Sequence, residues 1–298
     1  MNQPTPRTIA EYLEQLRSAL HGADAALIQD ALFDAEDHLR SEFAEHPGES
    51  EAAILAKMAT SYGAPDEVAE IYRDQEIVIE RALRTPRPRQ RSSWLARFFS
   101  VIADPRAWSA MFYMLLALPT GIFYFVWAVV GSSLSLSLMI LVIGLPLATL
   151  FLATVRVLSL VEGRIIEVML GERMPRRPVY ASRNQTFMAR VKGMFADPRT
   201  WTTLFYMIIR LPLGILYFVT LIVGIAVPLA LIANPVVYQF SDIGMLNYDG
   251  VVYNLPIWLQ PVQMLVGVVA LFGMMHLARG VARFQGALAK HLLVQSGS

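Results

Sequence analysis

Between Arg106 and Arg156 the chain reads AWSAMFYMLLALPTGIFYFVWAVVGSSLSLSLMILVIGLPLATLFLATV, which is 49 residues without one Asp, Glu, Lys or Arg. A helix needs about 20 apolar residues to cross the hydrocarbon of a bilayer, so this stretch holds two spans and a tight turn. Gly131, Ser132 and Ser133 mark the expected turn, between a first span near 109–131 and a second near 135–155. A third apolar run covers 203–227. The fourth, from Pro261 to Ala278, is shorter and interrupted by Gly267 and Gly273, but Trp258 at one flank and Arg279 at the other suit the two interfaces. The whole 298-residue chain is 55% hydrophobic and only 16% charged. That is well below the roughly 25% charged residues of a soluble domain, which excludes a simple cytosolic globule. With no Cys, disulfides, thiolate metal sites and Cys nucleophiles are also excluded.

The net charge of +1 hides a gradient. Residues 1–80 hold 17 acids and five Lys or Arg, whereas residues 81–106 hold seven bases and one acid. An acidic head is followed by a basic collar. Lys and Arg crowd the segments 81–106, 156–199 and 279–290 and are absent from Leu211 to Ala278, so the amino terminus, the central loop and the carboxyl terminus are expected inside. The first 20 residues are polar and acidic with no signal-peptide core, leaving the first span to act as the targeting signal.

Compared with itself at an offset of 93, the chain matches without gaps from Trp94–Val126 to Phe187–Val219, with 17 of 33 positions identical. Asp104, Pro105, Arg106 and Trp108 recur as Asp197, Pro198, Arg199 and Trp201, and Leu118-Pro119-x-Gly121 recurs as Leu211-Pro212-x-Gly214. The aspartates suit N-caps and the prolines the first helical position, so each copy starts a helix. Pro119 and Pro212, about four turns in, are expected either to kink these helices or to separate an interfacial elbow from the span proper. Gly121, Gly214 and the pair Gly144 and Pro146 are further expected kink points. A weaker match, Arg156–Gly163 against Arg279–Gly286, has an offset of 123, which places 123 − 93 = 30 extra residues in an outside loop near 228–258. With both hairpins starting inside, the repeats are expected to be parallel, related by an axis along the membrane normal.

The head reads as four helices, near 7–20, 24–45, 51–61 and 65–83, from apolar positions such as Ile9, Tyr12, Leu13, Leu16, Leu20, Val68, Ile71 and Ile77 at spacings of three and four. Turns fall at His46-Pro47-Gly48 and Gly63-Ala64-Pro65, with Ser50 as an N-cap. The stretch 84–91 is a stiff basic linker, and Trp94, Leu95, Phe98 and Phe99 suit a helix on anionic lipid. Arg156–Leu170 and Arg279–Leu293 continue the second and fourth spans. Their stripes, Val157, Leu160, Val161, Ile165 and Val168, and Val281, Phe284, Leu288 and Leu292, suit either helices lying on headgroups or a bundled stalk. Because head and collar are oppositely charged, a head docked on the collar is a further expectation.

On Tyr12-Leu13-x-x-Leu16, the acidic run Asp34 to Leu39 and Tyr62-Gly63-Ala64-Pro65-Asp66-Glu67-Val68-Ala69, the head resembles the HAAS family of helical signalling domains of bacterial membrane proteins. The region 108–292 resembles the "putative sensor" transmembrane domain on its two Leu-Pro-x-Gly motifs, Gly144-Leu145-Pro146, the Asp-Pro-Arg-x-Trp before the second hairpin and the closing Leu-Ala-Arg-Gly at 277–280. The resemblance implies sensing or regulation at a bacterial cytoplasmic membrane, with output passed to a separate protein; the chain departs from the pattern in that no histidine-kinase segment and no separate helix-turn-helix is expected after it.

Among single residues, Arg210 lies between Ile209 and Leu211, where its repeat counterpart is Ala117; it is either functional or snorkels to the headgroups. His276 is either packed at the inner end of the fourth span or a proton switch. The outside loop gathers Tyr238, Asp242, Asn247, Tyr248, Asp249, Tyr253, Asn254 and Trp258 without a cation, a surface for a cationic peptide, a divalent ion or a sugar, or an ordered cap with aromatics at the interface. Asp34, Asp37, His38 and Glu42 share a helical face, a weak metal strip and a better solvated one. No motif for hydrolysis, phosphate transfer or DNA reading is present.

The expectation is therefore an all-α protein of the bacterial inner membrane with both termini cytosolic. Its parts are an acidic helical domain (1–83), a basic linker and interfacial segment (84–104), a first transmembrane hairpin repeat (105–186) and a second (187–298), giving four transmembrane helices. It is expected to be a sensor or regulator, not an enzyme, with no cofactor, no metal and no direct nucleic-acid binding. Anionic lipid at the collar, a second copy of itself and a cytosolic regulator are its expected partners. The competing expectation is an accessory component of a transport or lipid-handling system.

Overall fold

The computed structural model describes residues 5–83, 93–140, 144–175, 187–240, 246–248, 251–253 and 255–294. They are almost wholly helical, in the order α1 (Ile9–Ala19), α2 (Ala25–Glu45), α3 (Glu51–Ser61), α4 (Pro65–Leu83), α5 (Trp94–Phe99), α6 (Pro105–Leu138), α7 (Gly144–Leu170), α8 (Phe187–Ala196), α9 (Pro198–Phe240) and α10 (Gln260–Leu293). One small hairpin, β1 (Leu246–Tyr248) and β2 (Val251–Tyr253), pairs antiparallel between α9 and α10. Four helices, α6, α7, α9 and α10, are long and apolar enough to cross a membrane.

The head forms where its periodicity places it. Thr8, Asp24 and Ser50 cap α1, α2 and α3 by accepting from Glu11, Ala26 and Ala53 backbone N–H groups, and Pro65 opens α4 at the position where no N–H is needed. Tyr12, Leu16 and Leu20 of α1 meet Leu27, Ala31 and Leu39 of α2, Ile54, Leu55 and Met58 of α3, and Val68 and Ala69 of α4 in one buried cluster. Tyr12 donates its hydroxyl to the Gly63 carbonyl at 2.9 Å, tying α1 to the α3–α4 turn. Ile71 and Ile77, expected in this core, are exposed instead, because Val68, Ala69 and Tyr72 define the inner face of α4.

Two of the expected boundaries are corrected. Gly131, Ser132 and Ser133 lie inside α6, which runs on to Leu138, so the second span begins at Gly144 and not near 135. Gly144 and Pro146 therefore open α7 and do not kink it; a proline in the first turn takes no hydrogen bond from the helix. Likewise α9 continues through Pro228 and Pro235 to Phe240, so the first part of the expected outside loop, 228–240, is helical extension. Pro119 and Pro212 lie within unbroken helices, so no separate elbow is formed at either.

The chain divides into two compact units. The first comprises Met1–Thr85, Ala128–Tyr206 and Gly286–Ser298: the head, the end of α6, α7, the start of α9 and the end of α10. Here Gly131 of α6 makes room for the Phe151 ring of α7. The second comprises Pro86–Trp127 and Met207–Gln285. In it Gly224 of α9 makes room for Met274 of α10, at the repeat-equivalent positions.

Within the second unit the two Leu-Pro-x-Gly motifs meet. A Cβ on Gly121 would stand 2.7 Å from the Arg210 carbonyl oxygen, and a Cβ on Gly214 would strike the Ala117 carbonyl. The later residue of each helix faces the earlier residue of the other, so α6 and α9 cross antiparallel. The buried cluster agrees, joining Ala110, Met114 and Ala117 to Tyr217 and Leu221 and to Met274 and Ala278. At this crossing residues 117–121 of α6 and 210–214 of α9 are related by a local two-fold. Sequence identity at a fixed offset says which residues are equivalent and is blind to the direction of the axis relating them.

The stripes of the amphipathic continuations lie largely off the buried side. Along α7 the buried side is Ser159, Glu162, Gly163, Ile166 and Glu167, while Val157, Val161 and Val168 of the expected stripe are exposed. Along α10 Gln285, Ala289 and Leu293 are buried and Phe284 is exposed. Ser159, Glu162, Gly163, Gln285 and Ala289 lie inward beside Ile166 and Leu293, where small and polar groups allow close approach and hydrogen bonding.

Candidate functional site

The first unit brings the head onto the ends of long helices through charged side chains. α7 ends at Leu170, and Gly171, with φ of 76°, turns the chain; its N–H bonds the Glu167 carbonyl at 3.1 Å. The left-handed conformation suits glycine and stops the helix. Arg173 then folds back into a site where it is 8% exposed. Its guanidinium donates to Asp30 of α2 at 3.1 Å, to Glu76 of α4 at 3.2 Å and to Glu167 of α7 at 3.4 Å, and to its neighbour's Met174 carbonyl at 2.9 Å. Burial alone pulls its pKa down, but the three carboxylates outweigh that and hold it above the usual arginine value. A planar fork with five donors fits this role; a lysine ammonium does not.

Two more bonds surround the clasp. Gln29 accepts from Arg199 of α9 at 2.9 Å, and Asp24 pairs with Lys290 near the end of α10. One seven-residue stretch of α2, Asp24 to Asp30, thus reaches the segment after α7, the start of α9 and the end of α10. Of the basic collar at 81–106, the expected docking partner, residues 84–92 lie outside the described residues; Asp30 and Glu76 pair with Arg173, and Asp24 with Lys290. Arg173, Glu167 and Lys290 were not singled out by sequence reading. The signal available there was Gly171 as a helix stop with an arginine two residues on.

The Asp-Pro-Arg-x-Trp motif forms the same local structure twice. Asp104 accepts from Arg106 N–H and Asp197 from Arg199 N–H, each at 3.0 Å, as N-caps do. Trp108 donates its indole N–H to the Ile102 carbonyl at 2.8 Å and Trp201 donates to Phe195 at 2.9 Å. The second carboxylate oxygen of each aspartate pairs with an arginine, Asp104 with Arg279 at 3.4 Å and Asp197 with Arg156 at 3.0 Å. Those arginines are themselves equivalent at the offset of 123.

In the second unit Arg210 is 1% exposed, so it does not snorkel. Its guanidinium carbon lies 4.9 Å from the centre of the Tyr113 ring, and one nitrogen is 3.4 Å from the Thr120 hydroxyl. A cation over an aromatic face is held by the ring quadrupole, more strongly when both are desolvated. Tyr217 donates to Gln285 at 3.0 Å in the same unit, and in the first unit Tyr206 donates to Glu162 at 2.9 Å. Glu162 and Gln285 are equivalent positions, and neither was anticipated, because scanning the spans for charge stopped at Arg156 and passed over amides. His276 stacks on Phe98 with ring centres 5.1 Å apart, and its Nε2 lies 3.1 Å from the Phe98 carbonyl. This is the packed alternative for that histidine.

Of the outside-loop residues, Asp242, Asp249 and Asn254 lie outside the described residues. Asn247, Tyr248 and Tyr253 belong to the hairpin, Tyr238 to α9, and Trp258 is exposed in a short 3-10 turn. In the acidic strip, Asp34 accepts from Tyr72 at 3.2 Å and His38 packs against the Tyr62 ring at 4.5 Å. No group of three metal-ligating side chains occurs among the described residues.

Four long apolar helices with polar groups turned inward and a small helical domain ion-paired to their ends define a polytopic membrane protein with an attached helical head. Residues 113–293 match the model of the family described as "Putative sensor", and the chain belongs to that family. No curated protein and no solved structure matches it.

Proposed function

We propose that this protein is a non-enzymatic sensor or regulator of the bacterial inner membrane that relays a signal through its HAAS-like head to a separate protein. The observation that carries this is the Arg173 clasp, which joins two helices of the head to the end of a long apolar helix through one buried guanidinium. A change in how α7 or its neighbours pack alters the position of Glu167 and so the hold on Asp30 and Glu76. Packed helix ends have discrete arrangements, which makes such a contact suited to switching. Both ends of the chain are assigned to the cytosol on the Lys and Arg distribution, and the Asp24–Lys290 pair supports that by joining head and α10.

Affinity purification of the full chain from membranes, with partners identified by mass spectrometry, tests the reading. The expected partner is a transcription factor or a kinase that is gained or lost on Arg173→Gln. Recovery of a transporter, unaffected by that substitution, overturns it in favour of an accessory role.

A further inference from the structure

The Asp-Pro-Arg-x-Trp motif is built twice, but the two copies differ in what stands behind it. In the first unit α7 and the start of α9 border a small, partly open cavity lined among others by Arg156, Ser159, Asp197, Arg199, Thr200 and Thr203. Thr200 is 2% exposed, and its buried hydroxyl has no partner among the described residues. Such an orphan donor calls for an explanation, an absent ligand being one. At the equivalent positions of the other copy the three hydroxyl residues are alanines: Ala282 for Ser159, Ala107 for Thr200 and Ala110 for Thr203. Ala107 and Ala110 are fully buried in apolar clusters with Met275 and Met274. One copy packs alanines at these positions, and the other sets hydroxyls there beside the arginine pair that both copies carry.

We propose that this cavity binds a phosphate group carrying negative charge. Arg156 and Arg199 against Asp197 leave one net positive charge, and arginine forks match the oxygens of a phosphate. Arg156 holds Asp197 at 3.0 Å and Arg199 holds Gln29 at 2.9 Å, so both side chains are already placed. The binding donors are side chains: the Arg199 and Thr200 N–H groups are taken by the Asp197 carboxylate and carbonyl, and Ser159 donates to the Arg156 carbonyl at 2.8 Å. The Thr200 hydroxyl and the outer guanidinium nitrogens remain to meet the ligand. Because Arg199 also holds the head through Gln29, occupancy reaches α2. The site deepens the sensor reading, on which its role as a signal rests, whereas binding itself is measured without any partner protein.

The test uses the purified full chain in phosphatidylcholine nanodiscs. One arm adds inorganic phosphate and the other includes phosphatidate in the disc; unfolding temperature and calorimetric binding are read in both. A rise in either arm is expected, phosphatidate alone marking a lipid headgroup and inorganic phosphate a soluble source. The combined variant Ser159→Ala, Thr200→Ala, Thr203→Ala, which gives the site the residues that pack in the other copy, is expected to bind at least about tenfold more weakly, the scale of a lost charge-assisted hydrogen bond. Arg199→Gln, with the cavity kept, is expected to abolish binding. No response in either arm, or a response of equal affinity in both variants, overturns the proposal.

Discussion

The carbonyl oxygen of Arg210 lies 2.7 Å from where a side chain on Gly121 would begin, so α6 and α9 touch backbone to backbone at this point. Replacing Gly121 or Gly214 with alanine forces the helices apart. Each is expected to cost about 1–3 kcal/mol, as overpacking does. Gly273→Ala is the control, since no atom lies within 4 Å of its Cβ position and alanine favours a helix. Thermal unfolding in detergent should fall for the first two and hold or rise for the third.

The Arg173 clasp predicts a split response to salt. Arg173 and Asp30 have side chains each 8% exposed, whereas Lys290 and Asp24 are 32% and 25% exposed. Salt screens the second pair far more than the first. Crosslinking between cysteines placed beside Lys290 and Asp24 should weaken from low to high ionic strength, while protection of α2 and α4 amides from exchange persists. Arg173→Ala removes that protection at any salt concentration, with a loss of about 3–5 kcal/mol for breaking a buried ion pair.

Substitution of Arg210 tests a functional role apart from stability. A buried charge replaced by an apolar side chain of similar size often leaves a protein as stable or more so. Arg210→Met is therefore expected to hold or raise the unfolding temperature while abolishing the change in partner recovery. Arg210→Lys should not restore it, because an ammonium lacks the planar stacking on Tyr113. A large fall in stability with unchanged signalling would make the residue structural.

The head has a built-in alkaline limit. Burial, reinforced by nearby acids, raises the pKa of Tyr12 and Tyr72 in the folded domain, and burial raises that of Tyr62. A raised phenol means that the folded state binds more protons than the unfolded state above the ordinary tyrosine pKa of about 10. Stability is complete below that pH and is lost as pH rises beyond it. Circular dichroism should show the loss beginning near there, and Tyr72→Phe should flatten it.

Cysteines at Ser61 and at His291 report the side of the membrane. Both are expected to resist an impermeant maleimide in intact cells and to react after lysis. Reaction of either before lysis places that end outside.

The legible parts of this protein rest on local rules. The four head helices follow from periodicity and caps, and Asp104 and Asp197 cap because Asp-Pro permits little else. The spans follow from the absence of charge. What escaped was set by neighbours distant in sequence. Arg173, Glu167 and Lys290 are unremarkable charges until the fold gathers them with Asp30, Glu76 and Asp24. Arg210 is headgroup-directed by position and buried in fact, because Tyr113 and Thr120 stand beside it. The stripes of α7 and α10 were readable, but the sequence left open whether they face lipid or a bundle, since water drives apolar faces inward and lipid does not.

Composition and repetition alone thus determined that the chain enters a membrane, that its amino-terminal domain is helical and that its apolar part is a duplicated unit. Only tertiary structure decided that α6 and α9 cross antiparallel at paired glycines, and that Ser159, Thr200 and Thr203 come together at one cavity. Hydropathy and helix caps act over a few residues, so one strand of text carries them; crossing direction and cavity shape depend on which backbones approach closely, and that is fixed only when the helices meet.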